Sequence, residues 1–433
     1  MLVWARASQG AEIRHPLIKH YPFANIVATG AQQCNIPDSG TGILTHFASL
    51  HHYDILNPLS QQAIEQYIPA QGIDNKGGRA VPTQRSEAFT GAFISEQTAP
   101  QRNTGKLLAT EGYVVGIEIS GSGARQTVAL ADLDGAILYR ARRPLEYVPN
   151  SATVLDLIDE MLGEVASPER LSNRRILRVG VAVGGLVDAA RGVVRTLYHA
   201  HGWNDFPLQD HFEERFDAPC IIDNNANAAA LAEVQRGVGV GERVVLYIGL
   251  GRGIGGALIV NGTIYHGTTC TAGEIGHILV KEDGPKCSCG GYGHLEAIAS
   301  AQAIARTMIG LSVEHPETEA AISRVTGGRA ERITAEQVFR LAADGDQIAR
   351  YIVDDVHKYL GIALANIVHL VNPSMIILGG PVAQAGQLLI APLQERIEQL
   401  CLPAASQSLR IVQGSLGAEA NIVGAVTLAL QDL

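Results

Sequence analysis

The sequence predicts an α/β protein whose sheet-forming segments fall into two lobes of similar plan, one after the other in the chain. Three observations predict it. Apolar runs without strict alternation recur as strand candidates, as in strands covered by helices on both faces. Capped helical stretches follow several of these runs. A strand that enters a glycine-rich turn occurs twice, at 114–124 and again at 244–256.

In the first lobe, 114–119 (Val-Val-Gly-Ile-Glu-Ile) reads as a strand, 120–124 as a glycine turn and 127–133 as a second strand. Asp134-Gly135 is a hairpin turn into 136–140. A helix is predicted over 152–164, then a strand over 179–183, the Gly184-Gly185 turn, a strand over 221–223, and a helix over 226–235 that opens at Asn225.

The second lobe repeats the theme: a strand over 244–248, a glycine turn over 249–256, a strand over 257–260, and Asn261-Gly262 as a type I′ hairpin signal. Thr334 and Gln337 make a capping box for a helix through Leu341, and a long helix covers 347–370. A strand over 374–378, the Gly379-Gly380 turn and a helix over 418–430 complete the pattern.

Residues 1–110 follow no such pattern. Pro16, Pro22, Pro37, Pro58, Pro69, Pro82 and Pro100 interrupt every periodic run, and the best helix candidate there, opened by Asn57-Pro58, stops before Pro69. From 71 to 105 the composition reads as a linker with no apolar stripe to bury. The expected organisation is an irregular segment 1–110, a first lobe 111–232 joined by the C-terminal helix 418–433, and a second lobe 233–417.

With 433 residues, two or three domains are expected; 46% hydrophobic and 18% charged side chains describe a soluble globular chain. No run reaches the roughly 18 apolar residues of a membrane span, and the start lacks the features of a signal peptide, so the expected location is the cytoplasm. There, six scattered cysteines are thiols or metal ligands rather than a disulfide framework. A net charge of -10 argues against a whole-protein nucleic-acid footprint but leaves room for a small DNA-binding module.

The stretch richest in chemistry is Gly273-Glu274-Ile275-Gly276-His277 followed by Cys287-Ser288-Cys289 and His294-Leu295-Glu296. His277, Cys287, Cys289 and His294 supply the four soft or borderline ligands of a tetrahedral zinc site. The competing reading is two buried thiols and two incidental histidines.

On these residues the chain resembles the ROK family of repressors and sugar kinases, from about Gly112 to the C-terminus. One departure lies inside the motif: the family's third cysteine is His294, still a competent zinc ligand. The resemblance implies a two-lobed actin-like ATPase fold, a structural zinc, and a symmetric homodimer. It further implies a hexose held by Asn224, Glu274, His277 and Glu296 with Asn225 in support. Convergent amide and carboxylate acceptors suit a polyol, because each hydroxyl needs one.

The same resemblance exposes losses. Family kinases carry D-x-G-G-T-K in the first turn, where this chain has Glu118, Ser120, Gly121, Ser122 and Gly123. The second turn, G-T-G-I-G-x-G in kinases, reads Gly251-Arg252-Gly253-Ile254-Gly255-Gly256-Ala257, with a methyl group where backbone is expected to approach phosphate. Near the adenosine side, Gly379-Gly380 is followed by Pro381, which has no amide to donate. At the general-base position the kinases' E-N-D-x-N becomes Asp223-Asn224-Asn225-Ala226-Asn227. An amide does not accept the sugar proton, and base catalysis is typically worth about 10²- to 10⁴-fold.

Two functional classes result. The first is a sugar-sensing regulator without effective phosphotransfer, its partners being a small-molecule sugar and, where a DNA-binding module is present, DNA. The second is an ATP- and Mg²⁺-dependent hexose or N-acetylhexosamine kinase with divergent motifs. Family repressors carry a winged helix-turn-helix before the first lobe, and residues 1–110 show neither its three-helix periodicity nor an excess of basic charge. The hypothesis that this segment is a degraded or frame-shifted remnant of a DNA-binding region rests on the abrupt change of pattern near Gly112. It fails if the other two reading frames of the coding DNA encode no helix-turn-helix. A further reading takes Arg252 as the anchor of an anion such as a sugar phosphate, against a surface arginine on a collapsed loop.

Overall fold

The computed structural model describes residues 112–120, 125–145, 150–197 and 200–433. The expectations for 1–110, including the Asn57-Pro58 helix, lie outside these residues, as do Gly121 and Ser122 of the first turn.

Two five-stranded sheets share one plan. The first has the order β3-β2-β1-β4-β7, from β1 (Gly112–Ile119), β2 (Arg125–Ala131), β3 (Ile137–Pro144), β4 (Arg175–Val183) and β7 (Cys220–Asn224). A small hairpin, β5 (Leu186–Asp188) with β6 (Val193–Thr196), stands beside it. The second has the order β10-β9-β8-β11-β12, from β8 (Val244–Leu250), β9 (Ile254–Val260), β10 (Thr263–Ile264), β11 (Met375–Gly379) and β12 (Arg410–Gln413). In each, an antiparallel meander is joined on one side to two parallel strands.

The helices, single-turn segments aside, are α1 (Ser151–Val165), α2 (Leu208–Phe216), α3 (Asn225–Arg236), α4 (Ala301–Ser312), α5 (Pro316–Thr326), α6 (Ala335–Ala343), α7 (Gln347–Val371), α8 (Gln387–Leu400) and α9 (Ala420–Leu430). α1 and α2 cover the outer face of the first sheet; α4 to α8 cover the outer face of the second. Between the sheets lies a third core built around α3 and α9. No helix among the described residues is long and apolar enough to cross a membrane.

Local sequence accounts for these choices. Asn150 caps α1 by accepting from Thr153 N (2.9 Å), and Val154, Leu155, Ile158, Met161, Leu162 and Val165 then recur on one buried face. The Thr334–Gln337 capping box forms as expected. Alternation along β1 sends Val115, Ile117 and Ile119 to the outer core and turns Gly116 toward α9. Gly116 pairs in register with Gly180 of β4, and a methyl group at Gly180 would lie 2.0 Å from the Ala425 carbonyl. These two glycines let α9, apolar on nearly every side, settle directly on the first sheet.

The structure moves several boundaries, two of them at the cleft. The second glycine turn is narrower than expected, because the β8–β9 ladder continues through Leu250 and Ile254 and leaves Gly251-Arg252-Gly253 as the connection. The cap of α3 is Asn224 rather than Asn225: its backbone is extended and its Oδ1 accepts from Ala226 N at 2.7 Å. The β5–β6 hairpin, α2, α4, α5, α8 and β12 have no counterpart in the sequence reading.

Candidate functional site

A cleft of about 380 Å³ opens between the two sheets. Its walls are segments that follow β4, β7, β8 and β11, where the turns of parallel strands gather in α/β folds. All five side chains expected to meet a sugar line it: Asn224, Asn225, Glu274, His277 and Glu296. So do Gly251, Arg252, Gly253 and Gly255 of the second glycine turn.

The first-sheet wall is held rigidly. Asn224 Nδ2 donates to the Gly185 carbonyl (2.7 Å) while its Oδ1 caps α3, so both ends of the amide are engaged. Asp223, 3% exposed, accepts from Asn224 N (2.7 Å) and Asn227 Nδ2 (2.8 Å) through Oδ1, and Oδ2 meets His266 Nε2 at 2.7 Å. Several donors on one carboxylate offset the cost of burying its charge. Asn225 sits between these anchored neighbours at the head of α3.

On the opposite wall, Glu296 accepts from Ser288 Oγ (2.6 Å) and from Ile254 N (3.0 Å). The second bond requires glycine at 253, since a methyl group there would lie 2.3 Å from Glu296 Oε2. Glu274 Oε2 lies 3.8 Å from His277 Nε2. Burial pushes the Glu274 carboxyl above its ordinary range; the His277 charge opposes this and Glu296 adds to it.

Behind this wall, His277, Cys287, Cys289 and His294 bring their ligand atoms within 4.8 Å of one another, a cluster able to hold a metal ion. Cys287 Sγ is 3.7 Å from His277 Nδ1, and Cys289 Sγ is 3.2 Å from His294 Nδ1. His277 therefore spans both regions, with Nδ1 on the Cys287 side and Nε2 on the Glu274 side.

The phosphate-turn expectations fare unevenly. Pro381 does line the cleft. Ala257 does not: its side chain is fully buried in the core between the sheets, so its methyl group offers no obstruction. Sequence reasoning also passed over Arg125, Tyr247, Ser288 and Asn421, all cleft residues. Asn421 Nδ2 donates to Glu118 Oε1 (2.9 Å) across 303 positions of sequence, a separation that no local pattern signals.

Two sheets of one plan, with paired helices between them and a cleft at the ends of their parallel strands, define the two-lobed actin-like class. The ROK family profile matches residues 114–432, and the chain belongs to that family. It is 35% identical over 327 residues to a glucokinase of Halalkalibacterium halodurans, covering 74% of this chain and 96% of that protein. It is 25% identical over 322 residues to a xylose repressor of Caldicellulosiruptor bescii, covering 74% of this chain and 79% of the repressor. Among solved structures, a ROK family glucokinase from Streptomyces griseus, in complex with glucose and AMPPNP, superposes with a TM-score of 0.64 at 29% identity, covering 74% of this chain and all of that one (100%).

Proposed function

We propose that this protein is a sugar-responsive regulator: a hexose or N-acetylhexosamine binds in the cleft, draws the lobes together, and leaves without effective phosphorylation. The observation that carries the reading is Asn225. It lines the cleft at the position where family kinases carry their aspartate, and an amide does not take up the proton that a sugar hydroxyl must release. Asn224, Asn225, Glu274, His277 and Glu296 supply the acceptors and donors for the ring hydroxyls. Closure driven by such a ligand is the signal that an attached module or partner reads, with DNA as the target in repressor relatives.

We assign zinc to the cluster behind the sugar wall. Tetrahedral zinc with bonds of ~2.0–2.3 Å places its ligand atoms ~3.3–3.8 Å apart; the 3.7 Å pair falls at this spacing and the 3.2 Å pair just inside it. Bound there, the metal ties the 287–294 loop to His277 and fixes which ring nitrogen faces the cleft.

The alternative is an ATP- and Mg²⁺-dependent sugar kinase, favoured by the 35% identity to a glucokinase across 96% of its length. ADP release with ATP, magnesium and a panel of hexoses and N-acetylhexosamines separates the two. Silence with a sugar that still raises the melting temperature supports the regulator; sugar-dependent turnover by the unmodified protein establishes the kinase.

A further inference from the structure

A second, smaller cavity opens beside the metal cluster, and it shares Arg252, Gly253, Ser288 and Glu296 with the main cleft. Its rim carries three cations from three separate segments: Arg252 of the β8–β9 turn, Lys286 just before the Cys-x-Cys pair, and Arg306 of α4. Lys286 and Arg306 are exposed, and a volume of about 50 Å³ leaves space for little more than one compact group. Glu296 is the carboxylate in this lining, and it is already engaged by Ser288 and Ile254 N. Three positive side chains lining one small polar recess match the charge of a compact dianion, in a chain that as a whole is acidic, with a net charge of -10.

We infer that this recess is a phosphate subsite, and that the ligand preferred by the protein is a hexose phosphomonoester. The ring lies against Glu274 and His277, and the phosphate reaches past Glu296 to Arg252, Lys286 and Arg306. This rests on the sugar-binding reading of the cleft. Neither Lys286 nor Arg306 belongs to that sugar wall, so the two readings can fail separately.

The test is calorimetric titration of the full-length protein with a neutral hexose, its 1-phosphate and its 6-phosphate, repeated with inorganic phosphate and on the Lys286→Gln/Arg306→Gln variant. Charge-assisted bonds to two or three cations predict that one phosphomonoester binds about ten-fold or more tightly than the neutral sugar. That preference should shrink with added salt and vanish in the double variant, while neutral-sugar affinity is kept. Inorganic phosphate should weaken the phosphomonoester more than the neutral sugar. Equal affinity for neutral and phosphorylated sugar overturns the subsite, as does a preference that survives the double variant. If no sugar of either kind binds, the reading of the cleft itself fails, whereas binding of neutral sugar alone sinks only the subsite.

Discussion

His266 Nε2 stands 2.7 Å from Oδ2 of Asp223, and this bond ties the loop after β10 of the second sheet to the end of β7 in the first. A weaker contact follows four residues later, where Cys270 Sγ approaches Asp188 Oδ1 at 3.8 Å. The strap then runs directly into Gly273 and Glu274, so the cross-sheet bond and this wall of the cleft belong to one segment.

The bond makes stability depend on pH in a definite direction. Hydrogen bonding to Asp223 raises the His266 pKa above its ordinary 6.5, with burial opposing and the Asp223 charge reinforcing. A raised folded-state pKa means that the contribution is fully present below about pH 6.5 and is lost as pH climbs through the higher folded value. Melting temperature should therefore decline across that window, and His266→Gln should flatten the decline. Thermal melts from pH 5.5 to 8.5 check this; superimposable profiles for the two proteins would remove the strap from the account.

Metal removal should act on both stability and sugar binding. Purified protein is expected to hold about one zinc per chain, measured by elemental analysis, and Cys287→Ala should lose it. Strong chelators should lower the melting temperature and abolish the sugar-induced rise, because His277 is shared between the cluster and the cleft. A metal-free protein with unchanged melting and sugar response would contradict the assignment.

Asn225→Asp tests the chemistry by gain rather than loss. With the carboxylate restored, sugar-dependent ADP release should rise by about 10²-fold or more over the unmodified chain. No gain, in a variant that still binds sugar, would mean that the altered phosphate turns, and not Asn225, limit turnover.

Packing of α9 on the first sheet predicts a contrast between two glycines. Gly180→Ala places a methyl group 2.0 Å from the Ala425 carbonyl, backbone that cannot step aside, and overpacking of this kind costs about 1–3 kcal/mol or more. Gly310→Ala, exposed on α4 with nothing within 4 Å, should instead stabilise by about 0.5–1 kcal/mol. Urea unfolding of the two variants should give opposite signs.

The strands and helices that the sequence foretold are those with strong local signals: apolar runs at 114–119, 179–183 and 244–248, the Thr334–Gln337 box, and the Asn261-Gly262 turn, whose residues both adopt positive φ. Three of the elements without a counterpart in the reading have weak ones, whereas α4, capped by Ser300, and α5, with Pro316 at its start and Gly327 after its end, carry clear signals that the reading passed over. α2 is short and mostly polar, α8 carries Pro392 in its interior, and β5 has three residues.

The sequence by itself determined the spacing of the Cys/His cluster, the amide at Asn225 and the apolar runs, since each is a property of residue type and local order. Only the tertiary structure decided that Ala257 faces the core rather than the cleft, that Asn421 reaches Glu118, that His266 bonds Asp223, and that Arg252, Lys286 and Arg306 share one recess. Those relationships join residues that the chain brings together only when α3 and α9 pack between the two sheets, and no local periodicity encodes such distances.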